Sequence, residues 1–215
     1  SSSDGSDAYK IRLAPGTGND RVYYVDGNLW VNQQSTMSMK FNYPEATGIK
    51  ATFVVKGNIY LGDNLFYNNK LLDGVAFIAI KDTAAPNKTA ADYTGTAAER
   101  ESLAKNYNHK SGSGNVYFGD PTFGTTEKFE SFLYAENNFY DDNLGTSGST
   151  ATTILGNMTA GNQVSINRST SGTYSKLAVS FDDRIKNGTI NLPGLPGNPA
   201  TEASDWVVAS WRQVN

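Results

Sequence analysis

Lys56–Asp63 reads KGNIYLGD, and Ser113–Asp120 reads SGNVYFGD. The same Gly-Asn-apolar-Tyr-apolar-Gly-Asp text thus returns after 57 residues. The text that follows also rhymes. GDNLFYNNKLLD runs against GDPTFGTTEKFE, and aligning GVAFIAIKD (Gly74–Asp82) with ESFLYAENN sets Ala79 over Ala135. A repeated unit of about twenty residues, with two short strands and two Asn/Gly/Asp corners, is the pattern of one coil of a β-solenoid. In such a coil Ile59 with Leu61, and Phe77 with Ala79, face inward and stack on the coils above and below. Tyr60 and Tyr117 then hold equivalent outward positions and form a ladder. Further tetrads, GNLW at Gly27 and GNMT at Gly156, extend the series at intervals of 30, 57 and 42 residues.

The expected fold is therefore all-β, a right-handed parallel β-helix (β-solenoid) with one short helical insertion. The alternative is a β-sandwich in which Gly-Asn corners recur by chance. Strand text bounded by Gly, Asn and Asp fills Asp20–Gln33, Thr36–Tyr43, Ile49–Asp63, Gly74–Asp82, Gly114–Asp120, Ser131–Asp142, Thr152–Arg168, Ser175–Asp183, Gly188–Gly194 and Asp205–Val214. The one helical segment is Thr96–Tyr107, rich in Ala, Glu, Leu and Lys, inside a connection from Lys88 to Lys110. The chain is expected to form one domain over 1–215, with the insertion at about 84–112 and a C-terminal cap at about 192–215.

The 215 residues carry 18% charged side chains and a net charge of −3. That balance supports a packed core and excludes the charged tails that meet nucleic acid. Twelve tyrosines, ten phenylalanines and 21 glycines suit half-buried strands joined by tight turns. There is no cysteine, which rules out disulfides, thiolate metal sites and a cysteine nucleophile. No apolar run reaches the ~20 residues of a membrane span. The opening SSSDGSDAYK reads as the edge of a longer precursor rather than a signal peptide.

VVKGNIYLGDNLFYN followed by DGVAFIAIKD, and the later string LAVSFDDRIKNGTINLPGLPGNP with WVVASWRQV, resemble an uncharacterised bacterial surface family linked with type IV pilus assembly, the PilX-like group. The resemblance runs from about Val54 to the end, with Gln213 where the family pattern has an acid and with Lys88–Lys110 extra. It implies a right-handed parallel β-helix without enzymatic activity. It also implies a cell-surface or periplasmic location, anchored by a membrane segment of the precursor. It carries over no catalytic, cofactor or metal residues.

The residues themselves offer little chemistry. His109 is the only histidine and lies in a polar loop, so no triad or histidine metal site is built around it. The pairs Asp141–Asp142 and Asp182–Asp183 fall at strand ends. There a carboxylate accepts backbone N–H groups, and neighbours point to opposite faces, which ill suits a glycosidase pair. Asp182, Asp183 and Arg184 are expected to form a local ionic corner. Oxygens at Asp63, Asn64, Asp120, Asn137, Asn138 and Asp141–Asn143 could supply calcium, yet they match no known loop spacing. Asparagine stacking between coils is the preferred reading.

Trp30, Tyr60, Tyr67, Tyr117 and Tyr140 are candidates for stacking on sugar rings. Trp206 and Trp211 fall on opposite sides of any one strand. Leu192–Pro199 is a rigid connection leading the last segment back over the solenoid. The sequons at Asn87, Asn157, Asn167 and Asn187 are frequent by chance in a chain of this composition. The expected function is a non-enzymatic exported or cell-surface structural or interaction domain, pilus-associated, with protein partners. The alternative is a polysaccharide-binding or polysaccharide-degrading β-helix. No cofactor, metal or nucleic acid is expected.

Overall fold

A computed structural model describes residues 8–11, 20–31, 38–41, 50–62, 64–67, 69–83, 112–119, 126–141, 151–168 and 176–195. The helical segment at 96–107, His109, Asp63, Asp120, Asp142, Trp206, Trp211 and the sequon at Asn87 lie outside them. The described chain is mostly β, with parallel sheets. In order come β1 (Ala8–Ile11), β2 (Asp20–Asp26), β3 (Leu29–Val31), β4 (Ser38–Phe41), β5 (Lys50–Lys56), β6 (Ile59–Leu61), β7 (Leu65–Phe66) and β8 (Gly74–Ile80). They are followed by β9 (Val116–Phe118), β10 (Lys128–Ala135), β11 (Asn138–Asp141), β12 (Thr152–Gly156), β13 (Thr159–Ala160), β14 (Gln163–Ile166), β15 (Leu177–Ser180) and the four-residue helix α1 (Asp183–Lys186).

Five strands form one sheet, in the order β14-β11-β9-β6-β3. The other ten form a sheet that branches at β10. The first half of β10 pairs with β7 and β12, continuing to β4, β1 and β15. Its second half pairs with β8 and β13, continuing to β5 and β2. Every pairing among the described strands is parallel, so the hairpins of an antiparallel sandwich are not what joins them. The chain visits these three ladders in a fixed cyclic order, one strand or half-strand at a time.

Register follows the repeat. Tyr60 pairs with Tyr117, and Ala79 with Ala135, as the alignment of the two units requires. With side chains alternating along each strand, one set enters a shared core and the other does not. Ile59, Leu61, Phe77, Ala79, Val116, Phe118, Leu133 and Phe139 are all inward and fully buried. The core is closed by Leu65, Phe129 and Ile154 from the ladder of β7, β12 and the first half of β10, the first in chain order. Rings stack from rung to rung: Tyr23 on Phe53 at 5.1 Å and Phe53 on Phe77 at 5.2 Å. Each large apolar side chain buried this way contributes about 1.5–3 kcal/mol.

Three expectations need correction. The fourth tetrad, Gly156-Asn157, is not at the corner held by Gly27, Gly57 and Gly114. It ends β12, where Gly156 lies over Ser131, and a Cβ there would overlap the Ser131 carbonyl oxygen. Gly188–Gly194 is not a strand, because it leaves α1 in turns. Three strand stretches were also missed: β1, β7, and the first half of β10.

The turns after α1 bring Ile190 and Leu192 onto Gly74, where any side chain would meet the Ile190 Cδ1 at 2.6 Å. Gly194 then sits beside Val22, where a Cβ would lie 3.0 Å from Cγ2. The segment after β15 therefore crosses back over β8 to reach β2.

Candidate functional site

The corner between the second and third ladders is lined with asparagine. Asn28 Oδ1 accepts the N–H of Asn58 at 2.7 Å, Asn58 Oδ1 that of Asn115 at 3.0 Å, and Asn115 Oδ1 that of Asn138 at 3.2 Å. At this corner the backbone turns and its N–H groups tilt away from the next rung. The side-chain carbonyl bridges the gap. Asn58 and Asn115 both also donate Nδ2 to the Gly112 carbonyl, at 3.1 and 3.2 Å. Gln163 follows Asn138 in register, and there Asn162, one residue earlier, donates Nδ2 to Asn138 Oδ1 at 2.8 Å. Gly57 precedes Asn58 because a Cβ would overlap the Gly27 carbonyl oxygen. The expected asparagine stacking is present.

On the outer side of the same ladder Trp30, Tyr60, Tyr117 and Tyr140 stack face to face. Their ring centroids are 3.9, 4.8 and 5.2 Å apart. The ladder of Tyr60 and Tyr117 is therefore real, and it points away from the main core as its own cluster. It is not exposed, however: Tyr60 is 0% and Tyr117 1% accessible. Two of the four rings are thus unavailable to a sugar, and only Trp30 and Tyr140, at the two ends, are partly accessible. Rings stacked along a sheet at this spacing each add about 0.5–1.5 kcal/mol beyond burial.

A third cluster joins the β7–β8 loop, β10 and α1. Glu130 is 1% exposed, and its carboxylate accepts the Tyr67 backbone N–H and the Lys70 ammonium, with Lys128 Nζ at 3.1 Å. Both lysines also reach the Phe66 ring, 5.9 and 5.8 Å from its centroid. The Tyr67 ring carries the Arg184 guanidinium over its face at 4.9 Å, while its hydroxyl accepts the Val75 N–H at 3.3 Å. Burial pushes the Tyr67 phenol well above its ordinary range, against the smaller opposing pull of that N–H and of Arg184.

Arg184 binds Asp182 through Nε at 2.9 Å and Nη2 at 2.6 Å, and donates Nη1 to the carbonyls of Lys70 and Asp73 at 2.9 and 2.8 Å. Burial works against its charge, but the Asp182 carboxylate outweighs it and holds the guanidinium above its usual value. Asp182 also caps α1 by accepting the Arg184 N–H at 3.0 Å. The ionic corner expected at 182–184 thus involves Asp182 and Arg184, whereas Asp183 is exposed in the first turn of α1.

Asp141 ends β11, a strand end as expected, and its carboxylate faces inward. It continues the inward column of Leu61 and Phe118, is fully buried, and is held by Arg168 through Nε at 2.6 Å and Nη2 at 3.0 Å. Arg168 also donates to Thr152 Oγ1 at 2.9 Å. Of the calcium candidates with described positions, Asn64, Asn138 and Asp141 are engaged elsewhere. Asn64 Oδ1 accepts the N–H groups of Glu127 and Lys128 at 2.7 and 2.8 Å, and Asn138 Oδ1 takes Asn162. Of the sequons, Asn157 uses Oδ1 to accept the Leu133 N–H at 2.6 Å, while Asn167 and Asn187 are exposed.

The roles of Glu130 and Arg168 were not foreseen. Each faces a partner at least 27 residues away in sequence, and nothing local marks either one. No family model, curated protein or solved structure matches the chain.

Proposed function

We propose that this chain is a non-enzymatic structural or interaction domain of an exported or cell-surface protein, pilus-associated, built as a right-handed parallel β-helix. The cyclic visiting of three parallel ladders supports the β-helix. The observation that carries the functional reading is the destination of the polar groups. The asparagine column, the Asp141–Arg168 pair and the Glu130 and Asp182 clusters all hold rung to rung or loop to rung. Carboxylates engaged in this way by guanidinium, ammonium and backbone N–H donors serve to hold the fold together. A rigid stack of this kind displays long side-chain columns to protein partners.

The test is to raise an antibody to the domain and fractionate the source cells into medium, sheared surface filaments, membranes and cytosol. Recovery with filaments or membranes is expected. Recovery in the cytosol overturns the proposal. Recovery in the medium alone removes the anchored, pilus-linked part and moves the reading to a secreted polysaccharide binder. A glycan-binding and sugar-release screen then follows.

A further inference from the structure

In a parallel stack each rung touches only its neighbours, so a terminal rung can peel away by breaking its own interface alone. Among the described residues β15 pairs only with β12, and Ala178, Val179 and Ser180 on it are exposed. The strand's own burial gives it little hold.

The chain straight after it is held far more firmly. Asp182 is 3% exposed, Ile190 2% and Leu192 6%. Their contacts lie away from β12. Arg184 Nη1 donates to the carbonyls of Lys70 and Asp73, 114 and 111 residues earlier in the chain, and the guanidinium covers the Tyr67 ring. Ile190 and Leu192 fill the space over Gly74, the first residue of β8, where a Cβ would come 2.6 Å from Ile190 Cδ1 and 2.8 Å from Leu192 Cδ2. In the order of pairing, β12 and β10 both stand between β15 and β8. The anchor therefore skips rungs instead of strengthening the next one.

We propose that residues 182–192 are a clasp, which fastens β15 to the β7–β8 loop and to β8 so that the stack opens as one unit and does not fray from its β15 end. Asp182 sets the clasp: it takes Nε and Nη2 of Arg184, which leaves Nη1 for the two loop carbonyls. With the clasp shut, β15 leaves β12 only if Arg184 gives up those carbonyls and Ile190 and Leu192 enter water. The coupling breaks the nearest-neighbour rule of a one-dimensional array, in which each end is the weak point. This inference uses these contacts only and holds wherever the protein resides.

Native-state hydrogen exchange on the 215-residue chain in low urea tests it. The Thr152 amide, which donates to the Lys176 carbonyl at 3.1 Å, reports on β15, and the Ile59 amide, which donates to Asn115, reports on the interior of the stack. In wild type the two are expected to show the same protection and the same urea dependence, because both exchange through one large opening. Arg184→Lys keeps a charge for Asp182 but loses the planar fork that spans the carbonyls and the ring. Ile190→Ala empties the seat over Gly74. In each variant Thr152 is expected to exchange about tenfold or more faster than Ile59, with a weaker urea dependence. Asp183→Ala, an exposed change in the same helix, is expected to leave the two amides matched. A wild type in which Thr152 already exchanges through a small, urea-insensitive opening overturns the proposal. Variants that lower both amides equally, or that change neither, overturn it too.

Discussion

Asn58 Oδ1 accepts the backbone N–H of Asn115 across 57 residues of chain, at 3.0 Å, with Asn58 2% and Asn115 0% exposed. The bond takes the place of a ladder hydrogen bond at a corner where the strand has ended. Removing it strands a buried donor, and the Gly112 carbonyl loses one of its two asparagine amides. Asn58→Ala is therefore expected to cost about 2–3 kcal/mol, read as a lower urea midpoint at unchanged slope. Asn162→Ala, at the exposed end of the column, is expected to stay within about 0.5 kcal/mol. Equal losses at both positions would show that the column does not depend on burial.

Gly57 and Gly112 separate two reasons for glycine. At Gly57 a methyl would overlap the carbonyl of Gly27, so alanine must push two rungs apart. At Gly112 the nearest atom to a new Cβ is 3.6 Å away, and only the φ of +94° opposes a side chain. Gly112→Ala should cost about 1–2 kcal/mol of backbone strain. Gly57→Ala should exceed it, at about 3 kcal/mol or more. Thermal unfolding of the two variants against wild type decides the order.

The Asp141–Arg168 pair sits on an inward column, where leucine and phenylalanine fill the rungs below. Desolvating two charges there is costly, and removing one leaves the other uncompensated. Asp141→Leu and Arg168→Met are each expected to lose about 3–5 kcal/mol, whereas the two together should return to near wild type. A double-mutant cycle in urea measures this. Single losses below about 1 kcal/mol would mean that water reaches the pair.

The strands carrying the Gly-Asn-apolar text were legible because their corners need residues that are scarce elsewhere. Glycine is forced by close rung approach, and asparagine by a missing N–H acceptor. Alternation then set the inward faces of Ile59, Leu61, Phe77 and Ala79 correctly. Burial of the outward face was not legible. The same alternation that turned Tyr60 and Tyr117 away from the core gave no sign that this face is itself covered. The fourth tetrad misled because Gly-Asn suits more than one corner of the stack. Gly161-Asn162, whose amide meets Asn138, went unnoticed. Arg168 and Glu130 were illegible because an ion pair across rungs leaves no spacing rule in one sequence.

Tyr67 predicts how stability depends on pH. Its hydroxyl is buried against the Val75 N–H and the ring lies beneath Arg184, and burial raises the phenol pKa in the folded chain. A raised folded pKa means that the unfolded chain releases the proton first. The stabilisation is therefore complete below the unfolded tyrosine value of about 10, and is lost as pH rises through and beyond it. Arg184, also raised, acts in the same direction at still higher pH. The urea midpoint should not respond to Tyr67 between about pH 7 and 9, and should fall above about 10. Tyr67→Phe deletes the acceptor of a buried N–H and costs about 1–3 kcal/mol at neutral pH, while making the alkaline fall shallower than in wild type. An unchanged alkaline slope in Tyr67→Phe would show that this phenol ionises as readily in the folded chain as in the unfolded one.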